Sequence, residues 1–275
     1  MTREAEEKLL ASLTAETAEL IPFLPYLLQD LWALGSSPND MITLIKKHMP
    51  ISESTKILDI ACGKGAVSIN IAKELGINMY GIDLLPDFIN FAKQKAKEWN
   101  VESLCHFICA DANEAVISAK DYDCVILGGA GNILGTWHET LVKMINCIKP
   151  NGYILMDESY FPDDSGNVPL KYECEQQTRT EWMRMFKENG LKLLDEIPGA
   201  EYDYDSETKD IAARAEELIE KHPEKRGIFE GYVQSQTNQS DDLQSSIVAV
   251  TWLLQKVNYL KGRRCKIPFT ERNSR

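Results

Sequence analysis

The 275 residues suffice for one large domain, or for a core domain with an appended cap, and the balance of 44% hydrophobic and 26% charged residues excludes a disordered chain. A formal net charge of −12 argues against a phosphate-gripping nucleic-acid binder, which needs a basic face. No apolar run is long enough to span a bilayer, Met1 to Lys8 is charged rather than leader-like, and the seven scattered cysteines include no C-x-x-C pair; the expectation is a cytoplasmic protein with reduced thiols and no metal site.

Residues 1–50 read as a helical cap. Leu9, Leu10 and Leu13 recur at helical spacing, Pro25 and the Gly35-Ser36-Ser37-Pro38 turn punctuate the stretch, and Ile42, Leu44 and Ile45 mark a further helix over 41–48. From Lys56 the pattern changes to alternating strand and helix. Strands are predicted at 56–60, 78–82, 104–109, 122–127 and 152–156. Val67, Ile71 and Leu75 form a helix stripe. Pro86 opens the next helix, whose apolar face includes Phe88, Phe91, Ala92 and Ala96, and Leu141, Met144, Ile145 and Ile148 mark another. Five such units imply a parallel sheet covered on both faces, with ligand at the carboxyl ends of its strands.

Further on, 172–188 reads as helix, 191–197 as strand and 245–254 as an apolar, β-branched strand. The intervening 198–243 is too long for a loop; Ile211, Ala212, Ala215, Leu218 and Ile219 make part of it amphipathic. The expected division is a helical cap at 1–50, a core at 51–197 and 244–260, a helical insertion or lid at 198–243, and a tail at 261–275. The tail carries a net charge of +5 and reads as a solvated terminus rather than an RNA contact.

The chemistry concentrates at Asp59-Ile60-Ala61-Cys62-Gly63-Lys64-Gly65. A buried strand runs into a glycine turn where a helix begins; the glycines remove Cβ atoms near the backbone, and the helix start offers free N–H groups. Three features strengthen this weak signal. The second strand ends in Asp83 and Leu84, with the acid at the spacing of a ribose-binding carboxylate. The third ends in Asp111-Ala112, where the carboxylate could accept from an adenine amino group. The fourth ends in Gly128-Gly129, whose small residues leave room for a ligand.

Together these residues resemble the class I (Rossmann-like) SAM-dependent methyltransferase family. Asp59 to Gly65 looks like its glycine-rich first motif, with Ala61 where the family often has glycine. Asp83 matches the ribose-binding acid, Asp111-Ala112 the adenine-contacting pair, and Ile148-Lys149-Pro150-Asn151-Gly152 the turn before the fifth strand. The resemblance implies an α/β fold with a seven-stranded, mostly parallel sheet, helices on both faces and an antiparallel last strand. It implies S-adenosylmethionine (SAM) as cofactor and S-adenosylhomocysteine (SAH) as product. It further implies that Asp59 accepts from the methionine ammonium, with Ala61, Cys62, Gly63, Gly65, Leu84, Gly128 and Gly129 around the cofactor.

For the acceptor side, Asp157, Glu158 and Tyr160 follow the fifth strand and His138 follows the glycine-rich loop; Thr136 is a candidate N-cap beside it. The place after the fourth strand reads Gly128-Gly129-Ala130-Gly131, with neither the Pro-Pro-aromatic element of DNA amino-methyltransferases nor a Pro-Cys nucleophile. A small-molecule acceptor is therefore expected, its methyl transferred by in-line displacement. Two alternatives remain: a SAM- or SAH-binding sensor or complex subunit without turnover, and an NAD-dependent oxidoreductase, whose fingerprint wants a third glycine where Ser68 stands.

Overall fold

The structure is a computed structural model that describes residues 2–165, 170–171, 177–199 and 204–257. Five strands form the parallel part of the sheet: β1 (Lys56–Ile60), β2 (Asn78–Asp83), β3 (Cys105–Cys109), β4 (Tyr122–Gly128) and β5 (Ile148–Tyr160). β6 (Leu191–Pro198) and β7 (Val248–Lys256) complete it in the order β3-β2-β1-β4-β5-β7-β6, with β7 antiparallel to both neighbours. The expected α/β class and the reversed last strand are both present. The dinucleotide-binding order of 3-2-1-4-5-6 has no antiparallel strand inserted there.

Residues alternate between the two faces of the sheet. On β4, Cys124 and Ile126 join the core beneath α3 (Pro38–His48), α4 (Ala66–Leu75) and α5 (Pro86–Glu98). Val125 and Leu127 join the opposite core with α6 (Ala112–Ser118), α7 (Trp137–Cys147) and α8 (Arg179–Glu188). This period-2 exchange makes the parallel strands nearly continuous hydrophobic runs. Local chemistry sets the helix starts: Ser37 caps α3 with Pro38 behind it, and Thr136 and Thr178 form capping boxes with Glu139 and Glu181. The Thr178 box corrects the expected helix over 172–188. It begins at Arg179, because Thr178 pairs with Phe161 in an isolated bridge and caps from an extended backbone; 172–176 lie outside the described residues.

A third hydrophobic cluster sits apart from the sheet cores. It joins α1 (Arg3–Ser12) and α2 (Leu24–Leu27) to α9 (Tyr204–Lys221) and α10 (Arg226–Ser245), through Leu20, Leu24 and Leu27 against Ile211, Leu218 and Phe229. Polar contacts reinforce it. Ser235 Oγ donates to Thr14 O at 2.9 Å, Thr14 Oγ1 donates to Gln239 Oε1 at 3.0 Å, and Arg214 Nε pairs with Asp30 Oδ2 at 2.6 Å. The two segments expected as separate features therefore form one cap. α10 runs through Ser245, so the last strand starts three residues later than expected. No helix among the described residues is long and apolar enough to cross a membrane. The tail at 261–275 lies outside the described residues.

Candidate active site

β1 has β2 on one side and β4 on the other, so the chain leaves β1 and β4 in opposite directions and a crevice opens at their carboxyl ends. Two connected compartments occupy it. The first, of about 120 Å³, is lined by Asp59, Ala61, Cys62, Gly63, Asp83, Leu84, Asp111, Ala112, Gly128 and Gly129. Ten of the eleven expected cofactor residues thus share one compartment. The second, of about 710 Å³, lies beneath the cap and shares Leu34, Gly129, Ala130 and Ile133 with the first.

Gly65 is the exception among the eleven, and it corrects the reason given for that glycine. It does not line the compartment. It caps α4 with φ of 75°, and a Cβ there would lie 2.8 Å from Ala92 Cβ and 2.9 Å from Phe107. Its bare backbone serves helix packing rather than ligand approach. At Gly128 the space expected for a ligand is partly taken by the cap's own chain, since a Cβ would lie 2.7 Å from Ser36 Oγ. Ala61 has φ of 53°, a left-handed conformation that explains why a glycine also suits this position.

The carboxylates are held by identifiable partners. Asp59 is buried and accepts from Ser68 Oγ at 2.6 Å; burial, with Asp83 adding to it, pushes its pKa up to about 7 against the Ser68 hydrogen bond. Asp83 accepts from the amides of Gly63 and Leu85, both at 2.9 Å, and burial still raises its pKa above the usual range. Each oxygen keeps a lone pair for a further donor. Asp111 caps α6 by accepting from Asn113 N at 2.8 Å.

On the second compartment's wall stand Asp157 and Glu158, as expected from their place after the fifth strand. Asp157 Oδ2 accepts from Ser37 N at 2.8 Å, so it also fastens the cap's turn; burial lifts its pKa to about 6. Glu158 is lifted to about 8, chiefly by burial and then by the charge of Asp157, against the amides of Gly131 and Ser159. The other two acceptor-side candidates are corrected. His138 is exposed on the first turn of α7, with Nδ1 3.2 Å from Asn189 Nδ2, and lines neither compartment. Its neighbour Thr136 is the N-cap expected, so position on the helix rather than the site accounts for it. Tyr160 lines neither compartment; its ring stacks on Trp252 at 6.1 Å.

Sequence reasoning missed Lys64. It is 3% exposed, and its Nζ donates to the carbonyls of Leu28 at 2.6 Å, Gln29 at 3.0 Å and Leu31. Trp32 Nε1 returns a bond to Lys64 O at 3.1 Å. A lysine in the glycine turn thereby ties the cap to the cofactor-side loop. Its one available signal was a cation placed inside an otherwise apolar turn. Trp137 and Tyr232, which also line the second compartment, carried no sequence signal beyond apolar helix faces.

Comparison with known proteins agrees with this geometry. Residues 51–190, just over half of the chain, match the family described as a methyltransferase domain. The protein YjhP of Escherichia coli is 31% identical over 120 residues, covering 44% of this chain and 48% of that protein. A demethylmenaquinone methyltransferase of Staphylococcus saprophyticus is 25% identical over 132 residues, covering 47% of this chain and 54% of that one. The matched part thus spans about half the length of these relatives. A SAM-dependent methyltransferase from Geobacter sulfurreducens, solved with S-adenosyl-L-homocysteine, shares the fold with a TM-score of 0.71 and 19% identity over 86% of this chain and 98% of that one. With its glycine turn, strand-end carboxylates and reversed last strand, the chain belongs to the methyltransferase-domain family.

Proposed function

We propose that the chain is a SAM-dependent methyltransferase acting on a small molecule enclosed beneath the helical cap. The observation that carries this reading is the convergence of Asp59, Asp83 and Asp111, each from a different strand end, on one compartment that opens into a larger capped one. The residues fit the cofactor. Asp59 is a buried carboxylate held by hydrogen bonds from Ser68 and facing no cation among the described residues, so an ammonium group would complete its pairing. Asp83 retains lone pairs for two ribose hydroxyls, and Asp111 can accept from an adenine amino group beside the apolar Leu84 and Ala112. When bound, SAM supplies an electrophilic methyl on sulfur, open to in-line displacement by an acceptor nucleophile.

The protein's own contribution is alignment and exclusion of water. The cap covers the strand ends, Lys64 and Asp157 hold it down from the two sides of the crevice, and the second compartment lies within the roughly 300–1,000 Å³ of ordinary small-molecule sites. The test is to incubate the protein and methyl-labelled SAM with fractionated metabolite, RNA and protein pools. Label in the small-molecule fraction is expected. Label only in RNA or protein overturns the acceptor assignment, and SAM binding without transfer to any pool makes the chain a binder rather than an enzyme.

A further inference from the structure

Among the described residues, three buried side-chain polar atoms have no hydrogen-bond partner: Glu158 Oε1, Trp137 Nε1 and Tyr232 Oη. They come from the end of β5, the first residue of α7 and the middle of α10. All three residues line the compartment beneath the cap. Unpaired buried polar groups cost stability, and native proteins hold few of them. Three on side chains that line one cavity, each atom itself covered by the protein, mark polar groups that a side-chain rotation would present to a ligand.

Their chemistry describes that ligand. An indole N–H can only donate, a phenol O–H donates readily, and a carboxylate accepts. The ligand best matched to them offers oxygen lone pairs to Trp137 and Tyr232 and a hydroxyl to Glu158, which can bond to it whether or not the carboxyl is protonated. The charged groups sharing the cavity with Glu158 are Asp157 beside it, Lys8 and Glu16 from the N-terminal segment, Lys171, and Glu207 from α9. Lys8 pairs with Glu4 and Lys171 with Asp241, so neither cation offers an anionic ligand an unshared charge.

We propose that Glu158 is the catalytic proton acceptor for an uncharged hydroxylated substrate, whose carbonyl or ether oxygens are held by Trp137 and Tyr232. This rests on the methyl-transfer reading above. The hydroxyl oxygen forms a bond to the methyl carbon, the carbon–sulfur bond breaks with its electron pair left on sulfur, and the hydroxyl proton moves to Glu158 Oε1. The proton passes to water when the methyl ether leaves. Burial and the charge of Asp157 hold Glu158 protonated up to about pH 8, so transfer accelerates as pH rises through that value.

The experiment uses the full chain, methyl-labelled SAM and a panel of uncharged hydroxy-ketones and hydroxy-lactones, with their O-methylated, carboxylate and amine counterparts as controls. SAH affinity is measured in parallel. The expected result is methylation confined to the hydroxylated neutral compounds, lost by roughly 10²-fold or more in Glu158→Gln with SAH affinity unchanged and the rise near pH 8 abolished. Tyr232→Phe and Trp137→Phe guard against a folding defect. Tyr232→Phe should raise the melting temperature of the free protein by removing an unpaired buried atom, whereas Trp137→Phe also loses buried ring volume and should lower it; each should raise KM with kcat and its pH profile kept. If SAH binds but no hydroxylated compound is bound or methylated, or if Glu158→Gln keeps activity within about threefold, the inference is overturned and the cofactor reading stands. If SAH does not bind, both are overturned.

Discussion

Cofactor binding should expel a proton, and Asp59 sets how much. In the free protein its carboxyl titrates near 7, raised first by burial. An ammonium group brought against it favours the ionised form, so binding draws on the ionised fraction. That fraction is about one-tenth at pH 6 and about nine-tenths at pH 8, a tenfold span worth ~1.4 kcal/mol of affinity. SAH is the suitable ligand, because it keeps the ammonium and lacks the sulfonium charge. Calorimetry in two buffers of different ionisation heat should show about 0.5 protons released per SAH at pH 7, falling toward zero above pH 8. Ser68→Ala removes the hydrogen bond that favours the ionised carboxylate and should move the midpoint upward. Asp59→Asn should flatten the dependence. Affinity that is constant from pH 6 to 8, with no proton released by the native protein, would refute the pairing of Asp59 with the ammonium.

Ala61→Gly should stabilise the protein by about 0.5–1 kcal/mol in chemical denaturation, because relief of the left-handed strain at φ of 53° exceeds glycine's extra chain entropy; a loss of stability would contradict this. Lys64→Met should leave the sheet core folded but release the cap. Three carbonyls lose a charged donor, at about 1.5–3 kcal/mol each, offset in part by no longer burying an ammonium. Hydrogen exchange over residues 24–36 should rise by a factor of ten or more by this reckoning, with SAH binding weakened; unchanged protection there would exclude Lys64 as the tether.

What was legible in the sequence was local. The strand-to-glycine-to-helix junction at 59–65, the acids at strand ends and the Thr136 cap all depend on neighbours a few residues away, and each stands where expected. What was hidden depends on distant pairings. Nothing near Thr14 announces Gln239 or Ser235, and nothing near Gly128 announces Ser36, so the union of the N-terminal segment with α9 and α10 had no local signature. Gly65 was legible as a glycine but not for its reason, since the Phe107 ring that requires it lies on another strand. His138 and Tyr160 were candidates by chain position alone. A helix's first turn and a strand's far end each offer several directions, and here they point to Asn189 and Trp252.

The most direct test of the account is calorimetric titration of the native chain with SAM, SAH and NAD. Micromolar binding of SAM and SAH, and none of NAD, is the expected result. Tight NAD binding with no response to SAM or SAH would contradict it and make the crevice a dinucleotide site.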